Sequence, residues 1–192
     1  MVKLSNKVIV LEGLPASGKT ILADYLRDNY GFLKINESLG KLGFNNTTNQ
    51  KIIFQETLKK YDRAKKCKEF AIIDRGYPSM LAWDYCAEEL GYAKDLNEKT
   101  IWVRQALNQN KLFEPYLYIY LLIKPQQSLK RRPRKETKID VWSGKIGMQY
   151  CFSYYEDFFQ NFSDKNFLSV KSDIPVKKIA KIIMNKIGID FN

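Results

Sequence analysis

The stretch Gly13-Leu14-Pro15-Ala16-Ser17-Gly18-Lys19-Thr20 constrains this chain more than any other. It matches the phosphate-loop pattern G-x-x-x-x-G-K-[ST] at every fixed position. Its neighbours fit the same reading. Lys7-Val8-Ile9-Val10-Leu11 is a short, β-branched, apolar run that predicts a strand. Ile21 to Arg27 predicts a helix, with Leu22, Tyr25 and Leu26 on one stripe. Strand, loop and helix in that order form a cradle for nucleotide phosphates: small residues let backbone N–H groups point at the anion, and the helix N-terminus adds partial positive charge. The candidate nucleotide-binding set is therefore Gly13, Pro15, Ala16, Ser17, Gly18, Lys19 and Thr20. Lys19 would reach the β- and γ-phosphates of ATP, and the Thr20 hydroxyl would hold Mg²⁺.

The rest of the chain alternates short apolar runs with longer periodic segments. The predicted strands are 7–12, 32–36, 70–74, 116–123 and 166–170, with helices between them. That pattern predicts an α/β fold with a mostly parallel sheet, and a length of 192 residues fits one domain spanning 1–192. The N-terminus lacks a signal-peptide layout and no run is long enough to span a membrane, so a cytoplasmic protein without a membrane partner is expected. Cys67, Cys86 and Cys151 are odd in number and widely spaced, which predicts reduced thiols. There is no histidine, so Ser-His and Cys-His nucleophiles and a histidine general base are excluded. Proton transfer falls to Asp, Glu, Lys or Tyr. A net charge of +11 points to anionic partners, either nucleotide phosphates or nucleic acid, the latter ranking lower.

Several polar residues stand where such a sheet presents its ligands. Glu37 follows the second strand, at the carboxyl edge. It reads as a general base or substrate anchor, or else as a helix N-terminal charge or a solvated loop residue. Asp74-Arg75 ends the third strand. Asp74 could organise Mg²⁺ and Arg75 could clamp a phosphate or a sugar hydroxyl, against the alternative of a structural ion pair. Gln55 and Arg63 lie on the helix predicted from about 50 to 68 and are either substrate contacts or solvated positions. The segment Lys130-Arg131-Arg132-Pro133-Arg134-Lys135 is the most basic in the chain. It reads as an arginine lid over transferring phosphates, spanning about 125–138, or as a solvated or nucleic-acid-binding face.

Taken together, these residues resemble the deoxynucleoside kinase and thymidylate kinase group of P-loop enzymes. Glu12-Gly13 resembles the acid and glycine that open the loop in both branches. Asp74-Arg75 resembles their D/E-R pair, and Pro125 through Arg134 their lid. Glu37 resembles the general base of the deoxynucleoside kinases, and Phe54-Gln55 with Arg63 their base-reading helix. Asp74 through Trp83 is similar to the thymidylate kinase stretch D-R-Y-x-x-S-x-x-A-Y. Gly76 departs from both branches, standing where one carries Tyr and the other Ser, and Pro15 stands where thymidylate kinases carry an acid. The resemblance implies a P-loop NTPase fold: a five-stranded, mostly parallel sheet flanked by helices, with a short arginine-rich lid. It implies an ATP-dependent kinase for a nucleoside or nucleoside monophosphate, with Lys19, Glu37, Arg75, Arg131 and Arg134 catalytic. Gln55, Arg63, Glu37 and Arg75 would bind the acceptor, and Thr20 and Asp74 the metal. It also implies a possible homodimer. Other P-loop kinases (acting on a metabolite, an antibiotic or a polynucleotide 5′-end) and an ATP-binding regulatory module without an acceptor stay open as alternatives.

Overall fold

The computed structural model describes residues 7–37, 50–132, 141–142, 144–160 and 166–189. In chain order the elements are β1 (Val8–Glu12), α1 (Lys19–Tyr30), β2 (Leu33–Ile35), α2 (Gln50–Lys65), β3 (Ala71–Asp74), α3 (Tyr77–Glu89), α4 (Leu96–Asn108), β4 (Leu117–Leu122), α5 (Pro125–Arg131), α6 (Lys145–Phe159), β5 (Phe167–Lys171) and α7 (Val176–Lys186). The five strands form one sheet in the order β2-β3-β1-β4-β5, and every pairing is parallel. All five predicted strands are present, each shifted or trimmed by a residue or two at its ends.

The period-2 alternation of each strand sorts side chains into two cores, one on each face. Val8 and Val10 join Ile73, Tyr118 and Tyr120 in a core covered mainly by α3 and α6. Ile9 and Leu11 join Ile72, Ile119 and Leu121 in a second core under α1 and α7. The central strands are buried on both faces, which is why their sequences are continuously apolar. The same parity fixes the polar residue that ends each strand. Glu12 shares the face of Val8 and Val10 and points toward α3, whereas Asp74 shares the face of Ile72 and points toward α1.

The aromatic helix starts at Lys145, ahead of the expected run of rings. The segment expected to open the lid is a short helix, α5, started by Pro125 in its first turn. Arg134 and the rest of the lid to 138 lie outside the described residues. Among the described residues no helix is long and apolar enough to cross a membrane, and Cys67, Cys86 and Cys151 are free thiols.

Candidate functional site

Parallel pairing brings three strand ends to one edge. Leu11 lies opposite Asp74 and Ile35 opposite Ile73, so the phosphate loop, Asp74-Arg75 and Glu37 leave the sheet side by side. The loop needs its glycines. Gly13 has φ 133° and a Cβ there would sit 2.7 Å from the Leu121 carbonyl oxygen. Gly18, at φ 93°, caps α1 in the left-handed region. Lys19 is buried, and its ammonium donates to Gly13 O (3.0 Å), Leu14 O (2.8 Å) and Ser17 Oγ (3.0 Å). Burial, helped by the positive charge of Arg75 and opposed by nearby carboxylates, lowers its pKa to about 7. Ser128 Oγ of α5 donates to Pro15 O at 2.6 Å and ties that helix to the loop.

The Thr20 hydroxyl donates to Asp74 Oδ2 at 2.6 Å. Asp74 Oδ1 is buried and has no hydrogen-bond partner among the described residues. A hydroxyl and a carboxylate are hard oxygen donors, and the uncommitted oxygen is the vacant valence a hard cation would satisfy. The pair fits Mg²⁺, which binds through one or two protein oxygens and completes its shell with water and phosphate. Among the described residues no group of three or more His, Cys, Asp or Glu is placed to hold a metal ion.

Arg75 is buried and holds a left-handed backbone, φ 65°, unusual for a residue with a side chain. Its Nε lies 3.0 Å from Glu37 Oε1, an ion pair without hydrogen-bond alignment. Its Nη1 donates to Gly13 O and Ser79 Oγ, both at 3.3 Å. Its guanidinium carbon stands 4.7 Å from the centre of the Trp142 ring. Burial opposes its charge, but Glu37 and the other acidic groups around it outweigh that and raise its pKa.

Beneath the loop Glu12 is fully buried. Oε1 accepts from the Gly76 N–H at 2.8 Å; Oε2 accepts from the Ser79 hydroxyl and from Tyr155 Oη at 3.0 Å. Burial raises its pKa despite these donors. Lys60, also buried, donates to Asp74 O and Arg75 O, and desolvation lowers its pKa to about 8.

The structure thus brings Lys19, Thr20, Glu37, Asp74 and Arg75 together. It does not bring Gln55 or Arg63 to them. The buried stripe of α2 is Ile53, Thr57, Lys60, Tyr61 and Ala64, and Gln55 is exposed about 200° round the helix from Ile53 and Thr57. Arg63 is exposed as well. The Arg131 guanidinium donates to Ser172 O and Oγ, after β5, at 3.3 and 3.2 Å. Among the described residues of that run, Arg132 is linked to the site: it donates to the Trp142 carbonyl at 3.1 Å, behind the ring that covers Arg75. Ser79, Lys60, Trp142 and Tyr155 were not singled out from sequence as site residues. Ser79 had a signal, one helical turn after Arg75; the other three come from distant segments, with nothing local to mark them.

Neither a family model nor a curated protein matches the sequence. Solved structures do match. A deoxyadenosine kinase from M. mycoides with bound dATP is similar with a TM-score of 0.70 and 22% identity, covering 94% of this chain and 99% of that one. The same kinase with bound dCTP gives a TM-score of 0.71 and 21% identity over 94% and 98%. This chain has the fold of the deoxynucleoside kinases. The YorR protein from Bacillus subtilis, in complex with phosphorylated GDP, follows at a TM-score of 0.61 and 19% identity over 94% and 95%. With that fold, the expected α/β architecture of a P-loop kinase is found, with the sheet order 2-3-1-4-5.

Proposed function

We propose that this chain is an ATP-dependent phosphotransferase whose acceptor is a small nucleoside or nucleoside monophosphate. The observation that carries the reading is the Glu37–Arg75 pair, 3.0 Å apart, beside Thr20–Asp74 on the phosphate-loop edge. A regulatory nucleotide site needs the loop and the metal residues, but has no use for a carboxylate and an arginine set beside them. The fold neighbours support the reading, since their structures hold dATP and dCTP.

In this mechanism Lys19 exchanges its hydrogen bonds to Gly13 O, Leu14 O and Ser17 for the β- and γ-phosphates. Thr20 and Asp74 would hold Mg²⁺, which would supply positive charge to offset that of the phosphates. Glu37 keeps Oε1 toward Arg75 and accepts the proton of a 5′-hydroxyl on Oε2. Arg75 neutralises charge growing on the transferred group, and Trp142 keeps water from its outer face. A monophosphate acceptor needs no strong base, and Glu37 with Arg75 then anchors the substrate. Such a catalyst belongs in the cytoplasm, where ATP and reduced thiols are found, and a homodimer is consistent with the resemblance.

Glu37→Gln tests the assignment. With nucleoside acceptors the rate should fall by roughly 10²–10⁴-fold, the usual weight of a general base, while ATP binding persists. Unchanged turnover on nucleosides would remove the base, and full activity on monophosphates alone would make the chain a nucleotide kinase.

A further inference from the structure

Lys60 is a buried cation whose ammonium, among the described residues, forms no ion pair. It donates instead to two successive backbone carbonyls, Asp74 O and Arg75 O. Burying an ammonium whose direct partners are backbone carbonyls is an expensive way to fill a core, because its hydration is lost and Glu37, Glu12 and Asp74 act on it only from beyond ion-pair distance. A methionine would occupy the same space without that cost. What Lys60 holds explains why it is there.

The Arg75–Gly76 peptide is gripped at both ends. Lys60 takes its oxygen, and Glu12 Oε1 takes its N–H at 2.8 Å. Arg75, just ahead of that peptide, has φ 65°, a conformation that persists in a side-chain-bearing residue only where its surroundings impose it. From this backbone the guanidinium reaches Glu37, Gly13 O and Ser79 and lies against Trp142. An extended backbone at Arg75 would aim it elsewhere.

We propose that Lys60 is a positioning residue for phosphoryl transfer: by clamping the Asp74 and Arg75 carbonyls it holds Arg75 in its left-handed conformation, with the guanidinium against Glu37 and Trp142. The transfer part rests on the function proposed above; the positioning part does not.

The experiment compares Lys60→Met and Lys60→Ala with wild type. Lys60→Met should lower kcat on the order of 10²-fold, the effect of a small misplacement of a reacting group, with the KM for ATP nearly unchanged. In an Arg75→Ala background Lys60→Met should add almost nothing, since the two act as one unit. Lys60→Ala should recover activity with propylammonium, which replaces the missing stem and charge, and not with propanol. A second readout needs no transfer. In protein carrying Trp83→Phe and Trp102→Phe, Trp142 is the remaining tryptophan and its emission reports the guanidinium on its ring. Lys60→Met should shift that emission to the Arg75→Ala value, and propylammonium should move Lys60→Ala back. If Lys60→Met does not fold, the Lys60→Ala rescue decides. Wild type that transfers phosphate to no acceptor would remove the function while Trp142 emission still judges the clamp. Emission unchanged by Lys60→Met, or a kcat loss as large without Arg75 as with it, would overturn the proposal.

Discussion

Lys19 sits among the carbonyls it holds, with its pKa lowered to about 7 mainly by burial. Nucleotide binding should therefore be coupled to a proton. Phosphates favour the charged amine, so at pH 8 binding should take up about one proton per ATP, and at pH 6, where Lys19 is already charged, almost none. Affinity should accordingly fall as pH rises above 7. Calorimetry in buffers of different ionisation enthalpy measures the uptake, and Lys19→Met should abolish it. Gly76 has a different constraint. A Cβ there would lie 2.7 Å from Tyr61 Oη and 2.8 Å from Val10 Cγ1, so the space beside Gly76 is already filled from α2 and β1. Gly76→Ala should cost about 1–3 kcal/mol by overpacking, and Tyr61→Phe in the same chain should recover part of it, both read from urea unfolding. Asp74 was within reach of the sequence as a polar strand end, but that it faces α1 while Glu12 faces α3 follows from the β1–β3 register and the helix packing. Lys60 and Trp142 were not within its reach. Lys60 is 14 residues from the carbonyl of Asp74 that it holds, and only the seating of α2 on the sheet joins them.

The helices show where resemblance and geometry part. The pattern of α2 was legible, but which of its faces meets the sheet is set by packing, and that packing turns Gln55 outward and Lys60 inward. The arginine segment was read as one device. Its first turn is a helix tied to the loop through Ser128 and Pro15, Arg131 is docked on Ser172, and Arg132 is joined to the site through Trp142. Helices α3 and α4 are joined by the buried ion pair of Asp84 with Lys99. Burial raises the Asp84 pKa to about 6 although Lys99 opposes the rise. The fold therefore holds a proton that the unfolded chain has released between about pH 4 and 6, so this group's contribution to stability falls as pH rises through that window. Lys99→Met should cost about 3–5 kcal/mol near pH 7, because it leaves a buried carboxylate alone, whereas Asp84→Leu with Lys99→Met should cost far less. Urea unfolding of the three proteins checks this.

For the whole molecule, composition gave the sign of the partner and not its size. A net charge of +11 suits nucleotides and polynucleotides alike. Salt separates them. Transfer to a small acceptor should change little between 50 and 200 mM salt, whereas an oligonucleotide acceptor touching several lysines would lose affinity by orders of magnitude over the same range. The parallel sheet followed from the alternation of apolar runs with helices, whereas its strand order came from the structure; the loop was legible from its motif, which carries its own structural context. The acceptor was less legible, because acceptor contacts are set by how separate helices meet. The central claim is phosphoryl transfer at the loop, and the most direct measurement uses γ-labelled ATP with Mg²⁺ and a panel of nucleosides and nucleoside monophosphates, for wild type and Lys19→Ala. The expected result is a labelled product from wild type and none from a folded Lys19→Ala. ATP binding by wild type with no labelled product across the panel, or equal product from Lys19→Ala, would contradict it.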